Sequence, residues 1–144
     1  MPHVDIQHKF ELLPKYPHMR PADVGIWERF LRSNPGKFRS VTYDVRVGDA
    51  ATVHEGCSEC ARGAWFDLTR WQIDVVAEDD EAIYIIEVKP LANARALGQV
   101  DGYRDLYVWE KIPTKPVKAV VLTDHEISTT RKLAAAWGIE LWVV

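Results

Sequence analysis

"IYIIEVKP", residues 83 to 90, begins as an apolar strand and then places Glu87 and Lys89 at alternate positions. Side chains in a strand alternate faces, so Ile85, Glu87 and Lys89 share one side and Ile86 and Val88 the other. The stretch before it, "RWQIDVVA", is also strand-like, and the acidic "EDDE" between them reads as the turn of a β-hairpin. A turn centred on Asp79 and Asp80 sets Asp74 opposite Ile85, on the face of Glu87. The two carboxylates then become diagonal neighbours about 7–8 Å apart. Two acids on a covered face repel unless positive charge joins them, because an unpaired buried charge is strongly disfavoured. Lys89 supplies one charge. A hard divalent ion such as Mg²⁺, held by one or two carboxylates, a carbonyl and water, supplies the rest.

Upstream, Pro21 suits the first turn of a helix. "ADVGIWERFLRS" then puts Val24, Trp27, Phe30 and Leu31 on one stripe before "NPG" stops it. "RSVTYDVRV" alternates Val41, Tyr43, Val45 and Val47 against Thr42, Asp44 and Arg46, a strand with one wet face. The polar segment 48–68 reads as loop. Downstream, "ANARALGQVDGYRDLYVW" lines up Ala92, Ala96, Val100, Tyr103, Leu106 and Tyr107 as a second helix, and "KAVVLT" is a buried strand. "TDHE" predicts a third helix capped at Thr123, with Glu126 three residues on and Ile127, Thr130, Ala134 and Trp137 buried. Gly138 ends it, and "IELWVV" is a last strand. The order α-β-β-β-α-β-α-β predicts an α/β fold, a mixed β-sheet flanked by helices.

Asp74 followed by Glu87-Val88-Lys89 resembles the PD-(D/E)XK nuclease superfamily, whose restriction-endonuclease-like core has this element order. The proline of the family's Pro-Asp is Ile73 here. Gln99 and Tyr103 resemble the Gln-x-x-x-Tyr element of the RecB-like branch; one helical turn apart, they face the same way. The resemblance implies an enzyme, a DNA nuclease dependent on Mg²⁺ or Mn²⁺ that hydrolyses phosphodiester bonds with a metal-activated water. Asp74 and Glu87 would hold the ion, Val88 would offer its carbonyl, Lys89 would position the nucleophile, Gln99 would hold water or metal-bound groups, and Tyr103 would contact the phosphate. Glu28 is the candidate for the first-helix glutamate that many relatives aim at the metal. The bland readings are specific too: surface acids with a Glu87–Lys89 pair, Glu28 paired with Arg32, a core tyrosine, and an amide bonding a loop carbonyl. A rival on the same fold is a structural or assembly subunit, for example of a phage particle, with weak or no turnover. A second is a metal-free interaction domain.

His54, Cys57 and Cys60 in "HEGCSECARG" have metal-ligand types, but zinc needs a fourth donor and iron–sulfur relatives use four cysteines, so two free thiols are the expectation. His54 is also the accessory candidate for a histidine that precedes the acidic motif in some RecB-like nucleases. The 144 residues, 47% hydrophobic, are expected to make an N-terminal leader (1–20) and one nuclease-like domain (21–144). No apolar run approaches the roughly 20 residues of a membrane span, and the N-terminus lacks a signal-peptide layout. A cytoplasmic protein is expected, or a virion-associated one if phage-encoded, with DNA and a protein partner or second copy as its partners. The net charge of −3 gives no global pull toward nucleic acid, so DNA binding would depend on local cations.

Overall fold

The computed structural model describes residues 3–49 and 70–144, so His54, Cys57 and Cys60 lie outside the described residues. Six strands and three helices follow the chain among those residues. They are β1 (Gln7–His8), α1 (Pro21–Ser33), β2 (Ser40–Val47), β3 (Trp71–Glu78), β4 (Ile83–Val88), α2 (Ala94–Lys111), β5 (Val117–Thr123), α3 (Ser128–Ala136) and β6 (Ile139–Val143). The strands form one sheet in sequence order. β1 to β4 pair antiparallel, whereas β4, β5 and β6 run parallel. The α/β class and the mixed sheet are therefore as expected from the pattern.

The helices cover both faces, and each face has its own core. On one side Ile26, Trp27, Phe30 and Leu31 of α1 pack on Val41, Tyr43, Val75, Ile86, Val88, Val120 and Leu122. The Trp27 indole donates to the Tyr43 hydroxyl at 2.9 Å, satisfying a buried donor. On the other side Ala96, Leu97, Val100 and Tyr103 of α2, with Ala134 of α3, pack on Val45, Val47, Ile73, Ile85 and Val121. The strands are thus covered twice, which explains the near-continuous apolar runs of β4 and β5. Residues read as a leader belong to this packing: Tyr16 is buried, and Phe10 meets Trp27, Phe30 and Phe38 edge-on.

Three expectations are corrected. The hairpin register is shifted by two residues: Val75 faces Ile86 and Val76 faces Ile85. The reason is the turn, where Asp79 accepts from the amides of Glu81 and Ala82 at 2.8 and 2.7 Å, making residues 79–82 the loop. Second, β2 has no wet face at its end, since Asp44 and Arg46 are buried. Val41 and Tyr43 pack with α1 but Val45 and Val47 pack with α2. The strand changes faces at Asp44, whose φ of 53° breaks the alternation. Third, Thr123 caps no helix. It ends β5, its hydroxyl accepts from the Ala92 amide at 3.0 Å, and α3 starts at Ser128; Ile127 and Trp137 are exposed.

Candidate active site

β3 changes faces where β2 does, with Ile73 on the α2 side and Val75 on the α1 side, so Asp74 lies at the crossing. The β3–β4 ladder ends at Val75–Ile86, although both strands continue. Into the space beyond its end Asp74 extends its carboxylate, accepting the Val88 amide at 2.9 Å. Continuing that register by one step sets Asp74 beside Glu87, and both carboxyl groups line the same cleft. The sequence reading, with its shifted register, made them diagonal neighbours; the even shift left them on a common face.

Burial, then the neighbouring charge of Asp74, raises the proton affinity of Glu87, against a smaller opposing pull from Lys89. Burial also raises Asp74, opposed by the Val88 amide. Two carboxyls this close cannot both ionise cheaply, so the ion-free pair retains a proton. One oxygen of Glu87, Oε2, is buried without a hydrogen-bond partner. A lone pair left unmatched in this way costs about 1–3 kcal/mol.

The pair opens into a cleft of about 380 Å³ lined by His18, Arg20, Asp23, Val88, Lys89 and Gln99, among others. The β4–α2 turn brings Lys89 and Gln99 together. The Leu91 amide donates to Asp124 at 2.9 Å, Ala92 to Thr123, and Asn93 caps α2 through the Ala96 amide. Lys89 makes no ion pair among the described residues, so the plain Glu87–Lys89 salt bridge is not formed. The half-buried amide of Gln99 likewise has no hydrogen-bond partner among them. Tyr103 is buried beside Trp71, and its hydroxyl pKa is pushed up to about 12 by burial and then by Glu87 and Asp74. It stays protonated within the field of both acids, but it belongs to the core and does not line the cleft.

Glu28 does not join this group. It pairs with Arg32 one turn on, at 3.6 Å, and does not line the cleft. The first-helix acid that does is Asp23, which also accepts the Arg20 amide and adds to the negative field on both carboxyls. Asp44 is the other acid that pattern reading missed, since its place in an alternating strand marked it as solvated. Arg46 bonds it through Nε at 3.1 Å and Nη2 at 3.3 Å.

An acid pair with a retained proton, an orphaned oxygen, an uncommitted ammonium and a free amide make a pocket suited to a cation bound together with an anion. Among the described residues no helix is long and apolar enough to cross a membrane. Against family models, curated proteins and solved structures alike, the chain finds no match.

Proposed function

We propose that the chain is a divalent-metal-dependent DNA nuclease of restriction-endonuclease-like fold. The observation that carries the reading is the buried, unpartnered Oε2 of Glu87 beside Asp74. An acceptor kept without a donor, next to a second carboxylate, suits a cation better than it suits folding. The donor set fits Mg²⁺ or Mn²⁺. Among the described residues no group of three or more His, Cys, Asp or Glu could hold a metal. Asp74, Glu87 and the Val88 carbonyl would therefore be the protein donors, with water completing the shell. That composition favours Mg²⁺-type binding over zinc, which takes three or four protein ligands. When bound, such an ion acidifies water and offsets charge developing on a phosphate.

The chain's own side chains divide the remaining work. Lys89, a compact charge on a flexible stem, orients the attacking water or the phosphate. Gln99 offers an amide that can both donate and accept at the cleft wall. Arg20 and Lys89 offset part of the charge of the three cleft acids, Asp23, Asp74 and Glu87, and a bound divalent ion would supply the positive charge that a phosphate needs there.

A nicking time course on supercoiled plasmid, with a linear duplex in parallel, tests the reading. Cleavage in Mg²⁺ or Mn²⁺ that stops in EDTA is expected. No cleavage of either DNA with either ion overturns it.

A further inference from the structure

The cleft holds a second polar group outside the Asp74–Glu87 pair. His18 precedes α1 and adopts left-handed backbone at φ 59°. Asp44 is left-handed too, at φ 53°. The two uncommon conformations meet, with His18 Nε2 3.0 Å from Asp44 Oδ2. Strain of this kind persists where the surroundings over-determine it, and it concentrates at functional sites. The Asp44 carboxylate is buried and fixed by the Arg46 guanidinium, whose Nη2 lies 3.3 Å from both Oδ2 and the His18 nitrogen. His3 stands farther off, 3.9 Å from Asp44.

The Asp44 carboxylate and the Arg46 guanidinium both meet Nε2 and so hold the ring in one orientation. Nε2 is the nitrogen occupied here. Nδ1 has no hydrogen-bond partner among the described residues, and the half-exposed ring lines the cleft. Among the other cleft side chains, Asp23 accepts the Arg20 amide and the Gln99 amide does not ionise. Asp74 and Glu87 face the ion, Lys89 serves the water or phosphate, and Arg20 does not release its proton at working pH. Hydrolysis still needs a proton for the departing oxygen.

We propose that His18, oriented by Asp44 and Arg46, is the general acid that protonates the leaving oxygen of the phosphodiester. This rests on the nuclease reading above. Water oxygen bonds to phosphorus as the bond from phosphorus to the leaving ester oxygen breaks. The electron pair of that bond departs on the ester oxygen, which takes the Nδ1 proton and leaves as an alcohol. The attacking water loses a proton to solvent, and solvent returns one to His18.

The test compares His18→Asn with the parent in Mn²⁺ on oligonucleotides bearing either the normal linkage or sulfur at the bridging position. The 3′-sulfur and 5′-sulfur linkages are each used, so that the one the parent cleaves identifies the leaving side. A thiolate leaves without a proton. The variant should lose about 10²- to 10⁴-fold on the oxygen linkage, the usual range for one general acid, and cleave the matching sulfur linkage within about threefold of the parent. Mn²⁺ affinity by calorimetry should match the parent's. Equal losses on both linkages, no loss on oxygen, or lost Mn²⁺ binding each overturn the role of His18 while leaving the nuclease reading in place. A parent that cleaves no linkage overturns both.

Discussion

The hairpin of β3 and β4 carries acids at both ends, and the two ends treat them oppositely. At the turn, Asp79 accepts two backbone amides and its pKa is lowered by those bonds. Lys115 bonds Glu78 at 2.7 Å and the Asp79 carbonyl at 2.9 Å. Asp80 bonds Arg39 at 3.0 Å, so Glu78, Asp79 and Asp80 have each found a donor. At the far end burial and the charge of Asp74 raise the proton affinity of Glu87, and Glu87 Oε2 has no hydrogen-bond partner among the described residues. Sequence composition does not distinguish these acids, because the distinction lies in who supplies the compensating charge. The turn is satisfied from within the chain, which is the signature of a structural role. The cleft end waits for charge from outside, which is what binding a cation and an anion provides.

Six substitutions at five positions sharpen the contrast, beginning with the largest effect. Asp74→Ala and Glu87→Ala should each cut plasmid cleavage by a factor on the order of 10⁴, the scale of losing one member of a catalytic unit. Glu87→Ala should melt no lower than the parent without metal, since it removes a buried oxygen that has no partner among the described residues, whereas Asp74→Ala strips the Val88 amide of its acceptor and should melt lower. Lys89→Ala should bind Mn²⁺ as the parent does by calorimetry yet lose about 10³-fold in turnover, and Lys89→Arg should restore little. Gln99→Leu should leave the melting temperature about equal while lowering cleavage about 10²-fold; parental cleavage would assign the glutamine to packing alone. At the other end, Asp79→Ala should leave cleavage unchanged and lower stability by about 1 kcal/mol in urea titration, the usual cost of a lost backbone cap.

The sequence made the strands legible because apolar runs and period-two alternation survive in β3, β4 and β5. It also brought Asp74, Glu87, Lys89 and Gln99 to one place. The register was not legible. Asp79 was read as part of the turn's centre, whereas its side chain makes it the first residue of a four-residue loop, and the even shift alone preserved the common face. Asp44 escaped because strict alternation assumes a regular strand, and a single left-handed residue sends the rest of β2 to the opposite face. Glu28 lies beside the apolar stripe of α1, but the cleft is at the helix's N-terminal end, so position along the axis brings Asp23 to it instead. Thr123 and Glu126 matched a capping pattern, yet the Ala92 amide takes the threonine hydroxyl and the glutamate pairs with Arg131. Such contacts join elements distant in sequence, and no local pattern encodes them.

The central claim concerns Glu87, an acid whose burial against Asp74 is relieved by a bound cation. Its native proton affinity is raised above the ordinary value of 4.5, so the folded state binds the proton more tightly than the unfolded one. The stability of the ion-free parent must then fall as pH rises from that value through the raised one. The direct measurement is the melting temperature of the parent and of Glu87→Gln across the span from the ordinary value of 4.5 to the raised value of about 9, with and without Mn²⁺. The account predicts that the parent loses stability as pH rises and regains it with Mn²⁺, whereas the variant melts higher than the ion-free parent at the upper pH and responds weakly to the ion. Parallel pH profiles and equal Mn²⁺ shifts in the two proteins would contradict it.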